Sequence, residues 1–160
     1  MNLGKFVKLN YLIIPLFTFL IASLGGFITD RGMDWYMSIS LPSWTPAGSV
    51  IGAVWTVLFI LATIAALLVW NKYPRGRIFN QIIIVFMVNG FLNFFWSWLF
   101  FGVHQLFLAI IFAAILGISV LVIIYLAKSK LPGVVWLLTP YAVWVFFATY
   151  LTFSVWRLNN

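Results

Sequence analysis

The chain of 160 residues contains no cysteine and no glutamate, only one histidine and only two aspartates. Without cysteine there is no disulfide, no thiolate metal site and no sulfur nucleophile. Asp30, Asp34 and His104 are the whole stock of usual metal ligands and acid–base groups, and no close ligand spacing joins all three. Metal catalysis is therefore not expected, and carboxylate-pair hydrolysis would rest on Asp30 and Asp34 alone. Charge is scarce too, at 7% of residues against about 25% in soluble domains. That is too little to cover a soluble globule, which excludes a cytosolic enzyme, a nucleic-acid-binding domain and a disordered chain. The charges that exist avoid the middle of every long apolar run. Proton relays, voltage sensors and ion-coupled carriers usually need such a group, so a site for a largely apolar ligand is favoured.

What is present is apolar (65%) and aromatic (20%). A membrane span needs about 20 mainly apolar residues, and five runs qualify, at 10–28, 49–70, 78–101, 105–127 and 134–158. The first carries Pro15, where a kink is expected, and the fifth is expected to be interrupted at Pro140. The apolar medium requires each run to satisfy its own backbone hydrogen bonds, so each reads as a helix; the period-2 alternation of a membrane barrel is absent. The expected fold is an all-α integral membrane protein, a five-transmembrane-helix bundle forming one domain over residues 1–160. Three loops are tight, while that at 29–48 is long and holds Asp30, Arg31, Asp34, Trp35, Tyr36, Trp44 and Pro46. It reads either as a lid over a site or as an interfacial linker whose aromatics belong to the membrane belt.

Five spans place the termini on opposite faces. One face receives Lys5, Lys8, Lys72, Arg75, Arg77, Lys128 and Lys130; the other receives Arg31 and Arg157 with both aspartates. The net charge of +7 is thus a topology signal that puts the N terminus in the cytoplasm and the C terminus outside. Lys5 and Lys8 ahead of an apolar run also resemble a signal peptide, with Ser23 and Gly25 as a poor cleavage site.

Within the spans, Asn89, Asn93 and Ser97 recur every four residues and share one helix face. An unpartnered amide in lipid costs several kcal/mol, so the face should point into the bundle, either bonding other helices or lining a cavity. Tyr141, Trp144, Ala148 and Thr152 form an aromatic–small stripe, and Gly48, Gly52, Trp55 and Phe59 form another. Gly48-x-x-x-Gly52 allows close backbone approach, and Thr45-Pro46 reads as an N-cap followed by a first-turn proline. Ala109, Ala113 and Gly117 make a small-residue seam suited to packing within the bundle or to a homodimer. Nine tryptophans complete the pattern. Trp70, Trp136 and Trp156 sit near span ends as belt anchors. Trp55, Trp96, Trp98 and Trp144 lie within spans, where broad π faces would suit a planar macrocycle.

Taken in order, Trp35-Tyr36, LPSWTPAG at 41–48, VWTVLF at 54–59, LNFFWSWLFFG at 92–102, LLTPYAVWVFFATYL at 137–151 and VWRLN at 155–159 resemble the TspO/MBR family of tryptophan-rich sensory and translocator proteins. The resemblance implies a five-helix bundle, often dimeric, with a ligand cavity closed by the long first loop. It implies porphyrins such as protoporphyrin IX, haem, sterols and isoquinoline carboxamides as ligands. By motif position the ligand-binding residues would be Tyr36, Pro46, Trp55, Asn93, Ser97, Trp144 and Ala148. Trp55 and Trp144 match the pair linked to porphyrin degradation and are the candidate catalytic residues. Leu41 and Ala47 depart from the family's Lys-Pro-x-Trp-x-Pro-Pro loop, and Thr152 stands where many members have Asn. The sterol motif fails, since Phe153 replaces a family Tyr and Tyr150 is too far from Arg157.

The reading is a receptor or sensor for porphyrins and similar hydrophobic ligands in a bacterial cell membrane. It needs no resident cofactor or metal, with porphyrin itself as ligand or substrate, the lipid bilayer and a second copy as partners, and no nucleic acid. Light-dependent oxidative degradation of bound porphyrin and transport of tetrapyrroles are the alternatives, with a structural or regulatory membrane role as the plainest reading. His104 falls in a loop, so no buried imidazole is available for axial iron ligation.

Overall fold

The computed structural model describes residues 9–160; Lys5 and Lys8, and with them part of the expected charge asymmetry, lie outside that range. Five long helices are apolar enough to cross a membrane. They are α1 (Asn10–Arg31), α3 (Gly48–Lys72), α4 (Arg77–Ser97), α5 (Leu106–Ala127) and α6 (Pro132–Leu158), and a short helix α2 (Met33–Ser38) follows α1. A π-helical turn at Trp98–Gly102 extends α4. The described residues contain no strand.

Three expectations need correction. α6 runs uninterrupted through Pro140, as α1 does through Pro15. Membrane helices accept proline where neighbouring groups or local adjustment absorb the freed backbone. The long loop is not all loop: α1 continues to Arg31, α2 adds over a turn, and an extended segment follows to Ala47. Thr45 is not the cap of α3. Its hydroxyl donates to Pro42 O at 2.7 Å and its N–H to the same carbonyl, so it closes a turn, and the helix starts three residues later at Gly48.

α4, α5 and α6 form the most closely packed part of the bundle. Ile82, Leu116, Val120, Ile123, Val134, Leu138 and Val145 are almost wholly buried there, joined by Ala65 and Val69 of α3. The seam Ala109, Ala113 and Gly117 is buried within the bundle; a Cβ on Gly117 would stand 3.1 Å from the Phe146 ring of α6. The seam is intramolecular packing and offers no free dimer face. Buried side-chain hydrogen bonds tie the three helices. Tyr141 donates to Asn89 Oδ1 at 2.9 Å, Asn89 Nδ2 donates to Ser119 Oγ at 2.8 Å, and Ser119 donates to Leu116 O at 2.7 Å. α1 is the least buried span and lies against α4 and α3. Its outward residues, Leu12, Leu16, Phe19, Leu24 and Phe27 among them, are large and apolar, as a lipid-facing surface requires.

Candidate functional site

Toward the end of the bundle that carries α2, the spans part around a cavity of about 420 Å³, within the range of small-molecule sites. α1 contributes Ile21, Ala22, Gly25 and Thr29; α2 contributes Met33 and Tyr36; α3 contributes Gly48, Gly52, Trp55 and Phe59. Asn93, Trp96, Ser97, Phe100 and Phe101 come from α4 and its π turn, and Trp144, Phe147, Ala148, Leu151 and Thr152 from α6. α5 lends nothing to the wall and serves as the buttress behind it.

Local structure explains the lining. Asn93, Ser97 and Phe100 follow one another at helical spacing and face inward. The wider π turn then lets the adjacent Phe101 reach the wall as well. Both rings meet Tyr36 of α2, at 6.1 and 5.5 Å between centroids. Gly48 and Gly52 are not a helix-contact motif, for a Cβ at either would meet nothing within 4 Å. Their small size makes room in the cavity. Trp55 packs 6.1 Å from Trp96 and edge-on to Tyr141, and Trp96 stacks on Phe100 at 5.7 Å. On α6, Trp144 lies 5.1 Å from Phe147.

The polar groups are few. Asn93 and Ser97 are buried, and Asn93 reaches Tyr141 OH only at 3.5 Å, a weak bond. The indole N–H groups of Trp96 and Trp144 are buried without an acceptor, a state that costs about 1–3 kcal/mol per group. Burial raises the Tyr36 phenol above its ordinary pKa, so it stays neutral. Asp30, exposed near the end of α1, is the one charged residue of the wall. His104 stacks on Trp35 at 4.0 Å outside the wall, so no imidazole faces the cavity.

Of the residues singled out from sequence, Tyr36, Trp55, Asn93, Ser97, Trp144 and Ala148 surround this one cavity; Pro46 is not in its wall. Pro46 lies in the extended segment before α3, where Thr45 closes its turn back to Pro42. Trp96, Phe100, Phe147 and Thr152 complete the wall without having been assigned to it. Trp96 and Phe100 were within reach of sequence reasoning, since they stand three and seven residues beyond Asn93 on its helical face.

A five-span bundle opening on an aromatic, nearly uncharged cavity under a short helix defines an integral membrane protein with a large intramembrane cavity. The model of the TspO/MBR family matches residues 13–157. The chain belongs to the TspO/MBR family. It is 30% identical to the tryptophan-rich protein TspO of Bacillus cereus, covering 96% of this chain and 99% of that one. Identity to the translocator protein of Homo sapiens is also 30%, over 92% of this chain and 91% of its relative. The TspO of Archaeoglobus fulgidus is 31% identical, over 84% and 87%.

Proposed function

We propose that the protein is a membrane receptor or sensor that binds porphyrins, protoporphyrin IX and haem among them, and similar flat hydrophobic ligands in this cavity. The observation that carries the reading is the ring of Trp55, Trp96, Trp144, Phe100 and Phe147 around about 420 Å³, with Asn93 and Ser97 as the polar edge. Indole faces supply area and dispersion, while the amide and hydroxyl orient an acceptor-bearing ligand. The wall offers no imidazole or thiolate to hold haem iron, and in this reading binding rests on stacking and shape and requires neither iron nor another cofactor. The protein sits in the cell membrane with the basic loops after α3 and α5 in the cytoplasm. Its homodimer uses a face other than the buried α5 seam.

The test is a spectroscopic titration of the purified protein with protoporphyrin IX in the dark, followed by illumination. Free-base porphyrin should bind as tightly as haem or more so. Binding that vanishes without iron overturns the reading.

One observation favours photo-oxidative turnover as a second reading. Trp144 contacts Phe147, Phe147 lies 5.9 Å from Trp44, and Trp44 stacks at 5.5 Å on the exposed ring of Tyr150. An excited porphyrin would thus meet the oxidisable Trp144 at the wall, with Trp44 and Tyr150 beyond Phe147 toward the surface, and Trp55 also in the wall. Bleaching of the bound porphyrin under light should slow in Trp55→Phe and Trp144→Phe at equal occupancy. Unchanged bleaching with intact binding removes the proposed role.

A further inference from the structure

The segment leaving α2 is tied to the far end of the chain by one side chain. Asn159, just past α6, accepts the Ser40 N–H on Oδ1 at 3.0 Å and donates from Nδ2 to the Ser40 carbonyl at 2.9 Å. The amide pairs with the Ser40 backbone as a neighbouring strand would. The same Nδ2 donates to Val155 O at 2.7 Å, and Val155 is a buried wall residue of the cavity. One amide therefore joins the last turn of the cavity wall to the lid. On either side the lid is held by apolar packing, Ile39 and Leu41 against the cluster of Leu99, Leu106 and Val155, and by rings, Trp35 on His104 and Trp44 on Tyr150. Met33 and Tyr36, the lid residues that close the cavity, lie directly upstream of Ser40.

We propose that Asn159 is the latch of this lid and sets the rate at which ligands reach and leave the cavity, an inference that rests on the cavity being the ligand site. Ser40 and Asn159 are exposed, so water competes for their bonds. Such bonds are worth little net, which suits a catch that must open. The geometry needs an amide. A carboxylate of the same shape accepts from the Ser40 N–H but faces the Ser40 and Val155 carbonyls without a donor.

Because the chain has no cysteine, a single thiol can report lid opening without any ligand. Ala22→Cys places it on the cavity wall. In the full chain in nanodiscs, a water-soluble maleimide should label this thiol about tenfold faster when Asn159→Ala is added, the loss of both modest bonds to Ser40, and faster to a smaller degree with Asn159→Asp, which keeps the bond from the Ser40 N–H. Dissociation of protoporphyrin IX should accelerate by a similar factor. Asn160→Ala removes the neighbouring amide, which only caps Trp156 O at 3.0 Å, and should label at the parent rate. Unchanged labelling in the Asn159 variants overturns the latch, and so does equal acceleration by Asn160→Ala, which would mean simple fraying of α6. Faster labelling with an unaltered porphyrin off-rate also overturns it. If the parent protein binds no porphyrin, the porphyrin reading fails while the labelling rates still decide the latch.

Discussion

Asn89 and Asn93 stand one helical turn apart on the same face of α4 but have separate environments. Asn89 is closed inside the bundle by Tyr141 and Ser119, whereas Asn93 keeps only a long contact to Tyr141 and borders the cavity. Asn89→Leu should therefore cost about 1–2 kcal/mol, since membrane hydrogen bonds are individually modest but two buried hydroxyls lose a partner. The measurement is unfolding in mixed micelles, and porphyrin affinity should stay within about twofold by the same argument. Asn93→Leu should do the reverse, weakening binding with little loss of stability. The four-residue spacing made the stripe legible in sequence. The division of labour was not, because it depends on Tyr141, 52 positions from Asn89. Tyr36 carries a pH prediction. Burial raises its folded-state pKa, so folded and unfolded phenols are both neutral near neutrality and the group adds no pH dependence there. Above about pH 10 the unfolded phenol ionises first, and stability falls as pH rises toward the higher folded value. Thermal melts of the parent against Tyr36→Phe should diverge only on that alkaline side.

At the scale of elements, the corner between α1 and α2 is the tightest place near the site. Gly32 packs so closely on the π turn that an added Cβ would stand 2.4 Å from the Phe101 carbonyl and 2.8 Å from its Cβ. The requirement is space, since the glycine sits at ordinary negative φ. Gly32→Ala must push α2 off the π turn, carrying Tyr36 away from Phe100 and Phe101. Porphyrin affinity should drop about tenfold, the equivalent of about 1.4 kcal/mol, while Gly133→Ala, which meets open space away from the cavity wall, should leave it unchanged. The five spans were readable because lipid admits only long apolar helices. α2 was not, being six residues long and set among loop-like Asp, Trp and Gly. The π turn was equally hidden, since it depends on how Phe100, Phe101 and the corner of α1 share space. Small-residue motifs misled in one helix and left a choice open in another. Gly48-x-x-x-Gly52 signals close approach, yet it leaves cavity space, while the α5 seam packs against α6. Spacing shows which residues share a face but not whether another helix or a void lies opposite.

For the whole molecule, charge is distributed by end. Lys72, Arg75, Arg77, Lys128 and Lys130 gather beyond α3 and α5, all exposed, while Asp30, Arg31, Asp34, His104 and Arg157 lie at the cavity end. Arg75 is braced at the boundary, its guanidinium 4.0 Å from the Phe79 ring and 4.9 Å from Trp70, and it donates to Trp70 O at 2.9 Å. Spans of 22 to 27 residues separate the two ends by at least about 30 Å at roughly 1.5 Å per residue, the thickness of the hydrocarbon core. Each end therefore lies in a different aqueous compartment. The basic end carries five cations and no acid among the described residues; the cavity end is close to neutral. A bias of that size orients short-loop membrane proteins with the basic side in the cytoplasm, so the lid should open toward the exterior. Two single thiols on this cysteine-free chain decide it, Ser129→Cys in the exposed turn after α5 and Gln105→Cys in the exposed turn before it. In intact cells a membrane-impermeant maleimide should label Gln105→Cys directly and Ser129→Cys only after permeabilisation. The opposite order would place the cavity mouth on the cytoplasmic side. Ligands would then reach the lid from within the cell, and the charge asymmetry would lose its reading as the determinant of orientation.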